Sequence, residues 1–320
     1  MISVIIPLYN KARHIKRALD SVLAQTFQGF EVIVVNDGST DGSERVVENY
    51  KDPRVRLISQ SNAGASAARN RGISEARAGL IAFLDADDEW LPGHLAAIDR
   101  LARKYPECGA FCTNHRTVGA DGRIRPSSFT FAPGSSTDGV IHDYFKQVLT
   151  GYPMNSSKVA VPRRVFDECG VFPEGEMEGE DLDMWCRIAL RFPIAYSAEV
   201  GATYHADSEN RAGKRGHLSI RRRLVGTLEN AIATGQYLVD IRRADLVEYL
   251  NQSLMVRGIR NIRSGNSKCG RELLARASGT RLFRVQYLRW KCLSYLPAPL
   301  LKRSLSVWLR LTQVMRWKQR

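Results

Sequence analysis

Three short apolar runs, each ending in a polar cluster, constrain this chain more than any other feature. Ile2–Ile6 stops at Pro7-Leu8-Tyr9-Asn10, Glu31–Val35 at Asn36-Asp37-Gly38, and Leu80–Leu84 at Asp85-Ala86-Asp87. Runs this short and continuous read as strands buried on both faces, as in a parallel sheet. Between them lie helical patterns: Ile15, Leu19, Val22 and Leu23 after Asn10, which is placed to cap that helix, and the Gly/Ala/Ser-rich stretch Ala63–Ala76 after a further strand at Val55–Ser59. Strands alternating with helices predict an α/β fold with a mostly parallel sheet and helices on both faces. Ligands bind at the carboxyl ends of such strands, so the three polar clusters are expected to share one cleft.

Pro92 is expected in the first turn of another helix. Beyond Gly109 the alternation weakens. Strands are expected at Phe111–Thr113, Lys158–Val161 and Val200–Tyr204, a helix at Asp181–Arg191, and loop over Gly119–Gly139. Long helices are predicted near 217–236, 241–263, 281–296 and 299–317, after a linker at Arg211–Gly216. The expected division is a catalytic domain over 1–210 and a helical module over 211–320. Charge divides at the same place. Residues 1–210 hold 23 Lys+Arg and 28 Asp+Glu, residues 211–320 hold 24 and 5, and no acid follows Glu272. The last helices mix Lys and Arg with Leu, Trp and Tyr, a pattern suited to an anionic membrane surface or to oligomer contacts and not to nucleic acid. The six cysteines form no CxxC pair, and Met1–Pro7 is too short for a signal peptide. Together these predict a cytoplasmic protein, peripheral at the inner face of the membrane.

The polar clusters carry the chemistry. Asp85 and Asp87, one residue apart at a strand end, can present two carboxylates on one side of the chain to Mg2+ or Mn2+. Asp37 serves as half of an Asp-Gly turn pair, or its carboxylate accepts a base N–H. Asn62-x-Gly64 opens a helix that carries Arg69, Asn70 and Gly72. Its N-terminus can face phosphate with Arg69 neutralising it, or its small residues simply pack closely. Glu178, Glu180, Asp181 and Asp183 suit a helix N-terminus, yet the adjacent Glu180-Asp181 pair beside Trp185 asks for more than a dipole effect.

Taken in order, Val4–Asn10, Val34–Asp41, Asn62-Ala63-Gly64, Ala68–Gly72, Phe83–Trp90 and Glu180–Trp185 resemble the family 2 glycosyltransferases, over about residues 1–210. The resemblance implies a Rossmann-like GT-A domain, a nucleotide diphosphate sugar donor (a UDP-sugar first, guanosine or thymidine donors next), a divalent Mn2+ or Mg2+ and inversion at the anomeric carbon. It implies donor contacts from Pro7, Tyr9, Asn10, Asp37, Asn62, Gly64, Arg69, Asn70, Asp85 and Ala86, metal contacts from Asp85, Asp87 and His205, acceptor contacts from Glu180 and Trp185, and Asp181 as general base. The stretch from Tyr204 and His205 to Ser208 resembles a late loop over the diphosphate. A glycan or lipid-linked acceptor in cell-envelope polysaccharide synthesis follows from the same resemblance. Of the alternatives, a nucleotidyltransferase would want a Gly- and Lys-rich loop after the first strand, and a dinucleotide enzyme GxGxxG there. A binding protein without catalysis would have no use for Asp37, Asp85, Asp87 and Asp181 together.

Overall fold

The computed structural model describes residues 1–127, 129, 137–176, 178–206, 222–297 and 300–301. The expected linker at 211–216 and most of the last expected helix lie outside these residues.

The described residues form ten strands and eleven helices: β1 (Ile2–Leu8), α1 (Ile15–Leu23), β2 (Phe30–Asp37), α2 (Ser43–Glu48), β3 (Val55–Gln60), α3 (Ala65–Glu75), β4 (Leu80–Phe83), β5 (Glu89–Trp90), α4 (His94–Lys104), β6 (Ala110–Val118), β7 (Ile124–Pro126), β8 (Asp138–Ile141), α5 (Tyr144–Val148), β9 (Val159–Pro162), α6 (Arg163–Cys169), α7 (Glu180–Arg191), β10 (Ile194–His205), α8 (Arg222–Thr234), α9 (Arg243–Arg263), α10 (Ser267–Arg276) and α11 (Arg284–Leu293). One sheet runs in the order β3-β2-β1-β4-β9-β6-β10-β5, with β7 on β6 and β8 on β10. β1 pairs in parallel with β2 and β4, and β2 with β3. β9 enters antiparallel between β4 and β6, and β6 pairs in parallel with β10.

Alternation along β1 assigns the two faces. Val4, Ile6 and Leu8 join Ile15, Leu19 and Val22 of α1 and Leu95, Ile98 and Leu101 of α4 in one buried cluster. Ile5 points the other way, where its Cγ2 would stand 2.4 Å from a Cβ added at Gly72. That separation lets α3 lie directly on β1, and only glycine permits it. On this second face Phe83 packs edge-on against Phe166 of α6 and Phe172, with Trp185 of α7 beside it. Helices therefore cover both faces, as the pattern of short runs predicts.

Two compact units divide the described residues, one running up to Leu246 and the other from Val247 on. The first reaches past the expected boundary at 210 because α8 packs on α7. Thr227 Oγ1 donates to Asp183 Oδ1 at 2.6 Å, and the Leu238 N–H donates to Leu190 O at 3.1 Å. The second unit contains most of α9 with α10 and α11. Gly258 and Gly270 bring α9 and α10 close, and the Glu248 carboxylate accepts from the N–H groups of Arg281 and Leu282 and from Thr280 Oγ1. α10 was not expected from the sequence; its cap, Asn266 accepting from the Cys269 N–H, sits in a stretch of weak apolar periodicity. No helix among the described residues is long and apolar enough to cross a membrane.

Candidate active site

Sheet order makes β1 the switch point, with β2 on one side and β4 on the other, so a crevice opens at their carboxyl ends. The loop after β1 forms its first wall. Asn10 adopts a left-handed φ of 51°. Its Oδ1 accepts from the Thr40 N–H at 2.8 Å, and its own N–H donates to Ser39 Oγ at 3.1 Å. The Lys11 N–H donates to Ser43 Oγ and the Ala12 N–H to Asp41 Oδ2, both at 2.9 Å. Asn10 thus latches two loops together. It does not cap α1, which starts at Ile15 behind His14 with no side-chain cap. Tyr9 beside it keeps 39% of its surface exposed, leaving a ring face for a base.

Asp37 is 2% exposed at the end of β2. Its Oδ1 accepts from Gln60 Nε2 at 2.8 Å and the Ala63 N–H at 2.9 Å, and its Oδ2 from the Gly64 N–H at 2.8 Å. Gly64 reaches this position with a φ of 93° that other residues rarely adopt. Asn62 Nδ2 donates to the Asp37 carbonyl at 3.0 Å. Asp37 thus organises a turn and the start of α3, and Oδ2 keeps a lone pair beyond these bonds.

Arg69 on α3 is the centre of the charged floor. It is 5% exposed, and its two terminal nitrogens reach different elements: Nη2 donates to Asp85 Oδ1 at 2.9 Å, and Nη1 to Glu180 Oε1 at 3.0 Å. The Phe172 ring lies 5.4 Å beneath the guanidinium. One arginine thus joins the turn after β4 to the start of α7. Asn70, next to it, accepts from the Phe172 N–H at 3.0 Å and donates to Phe172 O and Glu174 Oε1 at 2.9 Å. Its polar atoms are committed to strapping residues 172–174, which is a supporting role and not the donor contact expected of it.

Asp85-Ala86-Asp87-Asp88 is a turn, not the extended strand end expected, since β4 stops at Phe83 and the Asp88 N–H donates to Asp85 O at 3.0 Å. Ala86 is buried. Asp87 Oδ2 meets Lys11 Nζ at 2.7 Å, and Arg17 of α1 donates to the Asp87 carbonyl. Asp88 is the structural member. Its Oδ2 accepts from Ser157 Oγ at 2.5 Å and its Oδ1 from the His205 N–H at 3.0 Å. His205 closes β10 with Nε2 3.3 Å from Glu89 Oε1.

Electrostatics mark the same place. Burial pushes the Asp85 carboxyl up, Arg69 opposes the rise, and the like charges of Asp87 and Glu180 add to it. Burial, with Asp85 and Asp87 nearby, holds Asp88 well above the usual carboxylate range. Asp181 in the first turn of α7 is pushed up to about 7, by burial first and then by Glu180, against Arg69. A carboxyl poised there at neutral pH is what a general base needs. Trp185, by contrast, is 0% exposed and packs edge-on to Phe172 at 5.6 Å. It belongs to the core under α7, so the acceptor contact expected of its ring is corrected: one turn further along the face that carries Asp181, it is enclosed by Phe83 and Phe172.

Among the described residues no three His, Cys, Asp or Glu side chains are gathered into a ready-made metal cage. The residues nonetheless fit a divalent ion. Burial is what chiefly raises the Asp85 carboxyl, but the like charges of Asp87 and Glu180 add to the rise, and a cation beside them would offset that part. Asp87 already takes a cationic partner, and oxygen ligands suit Mg2+ and Mn2+. Three residues of the site escaped the sequence reading: Lys11, Ser157 and Asp88. The first two lie outside any pattern a single chain displays; Asp88 was visible as the third acid of the run.

The Glycosyl transferase family 2 profile matches residues 3–164, half of the chain. The chain belongs to this family. Its relatives include the uncharacterized glycosyltransferase YibD of Escherichia coli K12, 50% identical over 93 residues (28% of this chain, 27% of the relative). An uncharacterized glycosyltransferase of Rickettsia bellii is 34% identical over 194 residues, covering 59% of this chain and 26% of its own. The chain thus spans about a quarter of the length of these relatives. The fold matches the Staphylococcus aureus TarS 1-349 complex with UDP-GlcNAc (TM-score 0.66, 18% identity, 86% of this chain and 81% of that one). It also matches the mannosyltransferase PcManGT of Pyrobaculum calidifontis in complex with GDP-Man and Mn2+ (TM-score 0.55, 20% identity, 92% and 83%). The family 2 domain therefore has the GT-A architecture expected of it.

Proposed function

We propose that this protein is an inverting glycosyltransferase. It moves a sugar from a nucleotide diphosphate donor, a UDP-sugar first, to the hydroxyl of a glycan or lipid-linked glycan in cell-envelope polysaccharide synthesis. The observation that carries the reading is the Arg69 bridge, which ties the Asp85–Asp88 turn to the Glu180-Asp181 pair across the cleft. Donor-side and acceptor-side carboxylates are thereby held in one frame.

On this reading Tyr9 stacks on the base, with Pro7, Asp37, Asn62 and Gly64 shaping its pocket and Asp85 facing the ribose. Asp87, with Asp85 and His205, would hold Mn2+ or Mg2+, which would supply positive charge against the leaving diphosphate. Asp181 accepts the acceptor hydroxyl's proton as that oxygen bonds to the anomeric carbon and the bond from that carbon to the phosphate oxygen breaks. Glu180 borders the acceptor. A retaining route needs a carboxylate aimed at the anomeric carbon, and both flanking candidates, Asp85 and Glu180, are turned into Arg69. This favours single displacement.

The membrane assignment draws on the second unit. On α11 Tyr287 and Trp290 are buried, whereas Val285 and Leu288, with Leu282 in the turn just before the helix, are exposed among Arg281, Arg284, Arg289 and Lys291. An apolar stripe flanked by basic residues suits the headgroup plane of an anionic bilayer at the cytoplasmic face. The deciding experiment for the activity is donor hydrolysis across UDP-, GDP- and dTDP-sugars with Mn2+, with Mg2+ and with EDTA. Metal-dependent release of one nucleoside diphosphate supports the assignment. Undiminished turnover in EDTA removes the metal from it, and no turnover of any donor with metal and candidate glycan acceptors present removes the activity.

A further inference from the structure

Asp87, the carboxylate assigned to the cation, is already held by a cation of the chain itself. Lys11 Nζ lies 2.7 Å from Asp87 Oδ2, and the two side chains are only 13% and 17% exposed. The backbones at both ends are fixed. Lys11 sits in the latched loop after β1, with its N–H on Ser43 Oγ and its neighbours on Ser39 and Asp41. The Asp87 carbonyl is held by Arg17. The part of this contact left to move is the four-carbon stem of the lysine, anchored at the β1 end of the same crevice.

A divalent ion binds a carboxylate oxygen at roughly 2.0–2.2 Å. An ammonium at hydrogen-bond distance from Asp87 Oδ2 disfavours the ion's approach to the same oxygen, because the two cations repel in a site of limited solvent access. A metal ion entering alone has to compete with Lys11. One entering with a diphosphate brings anionic oxygens that receive the lysine as it leaves.

We propose that Lys11 is a positioning residue that occupies Asp87 in the ligand-free protein and passes to the donor's phosphates when the metal enters, coupling cation binding to nucleotide binding. The proposal rests on the assignment of Asp87 to the metal. Coupling of this kind is reciprocal: the nucleotide tightens the metal by the factor by which the metal tightens the nucleotide.

The test counts free Mn2+ by its EPR signal while full-length wild type, Lys11→Met and Lys11→Arg are titrated, alone and with saturating UDP, GDP or dTDP. Wild type should bind Mn2+ at least about tenfold tighter with one of these nucleotides than without, a difference of about 1.4 kcal/mol. Lys11→Met should bind Mn2+ about tenfold tighter than wild type when no nucleotide is present, and most of the coupling should vanish. Lys11→Arg, which keeps the competing charge, should behave as wild type. Lys11→Gln repeats the test if the Met variant fails to fold. Nucleotide-dependent Mn2+ binding in wild type, with no tighter nucleotide-free binding in Lys11→Met, overturns the role of Lys11 and leaves the metal assignment standing. No Mn2+ binding by wild type with any nucleotide overturns both.

Discussion

Replacing Arg69 with methionine keeps the length of the side chain and deletes the one cation shared by Asp85 and Glu180. Breaking a buried pair by removing one partner costs about 3–5 kcal/mol, because a charge stays behind. Solvent reduces this at Asp85, whose side chain is 35% exposed, but much less at Glu180, 13% exposed. A loss of about 3 kcal/mol at pH 8 is therefore expected. For a unit of this size each kcal/mol moves the melting temperature by about 2–4 °C, so the variant should melt about 6–12 °C lower. The loss should shrink at pH 5, where Asp181, raised to about 7, is protonated. With fewer negative charges left without Arg69, less is lost. Arg69→Lys keeps the charge without the two-pronged reach and should fall between. Differential scanning fluorimetry of the three proteins at both pH values decides it. A methionine variant melting within about 2 °C of wild type at pH 8 would refute the view that the bridge organises the site.

Asp181→Asn should lower kcat by about 10²–10⁴-fold while donor affinity, measured calorimetrically, stays within about twofold; comparable loss of donor binding would deny Asp181 a role confined to the acceptor. The same variant should melt higher than wild type at pH 8 and equally at pH 4. With the folded carboxyl raised to about 7 from 3.8, its ionised form costs the fold stability only as pH climbs through that interval. Wild-type kcat/KM should fall about tenfold per pH unit below about 7, in an environment set by Glu180, Arg69 and Asp85; a flat profile down to pH 5 assigns the base elsewhere. Gly72→Ala would force its Cβ against Ile5 and should cost about 1–3 kcal/mol, read from urea unfolding, with an unchanged midpoint contradicting the contact. Val285→Asp in the full-length chain should reduce sedimentation with anionic liposomes at low salt; unchanged partitioning would remove α11 from the membrane assignment.

The sheet was legible because its evidence is local. A β-branched run such as Ile2–Ile6 needs burial on both faces, and the polar residues that end each run have only the strand ends on which to lie. The Arg69 bridge was legible only in outline. Each partner sits in a recognisable stretch, but α3, the turn after β4 and α7 come together through tertiary packing, and spacing along the chain says nothing of that. Trp185 shows how proximity in sequence misleads on a helix: it shares a face of α7 with Asp181, but one turn further along that face is already core, and the ring is buried with Phe83 and Phe172. Lys11 and Ser157 were illegible for a simpler reason. A lone lysine or serine in a loop acquires a function only from the partner the fold places opposite it.

The last acid of the Asp-Ala-Asp-Asp run has a consequence for anyone moving this chemistry between scaffolds. Through one enclosed carboxylate, Asp88 gathers Ser157 beside β9 and the His205 backbone at the end of β10, two places far apart in sequence. It works as a three-way dowel: the turn after β4 is pegged at once to the segment entering β9 and to the end of β10. A graft of residues 85–88 alone would carry the carboxylates without the joinery, and its turn would be free to splay. The transplantable piece is the run together with a hydroxyl from the β9 side and a strand end that offers its N–H.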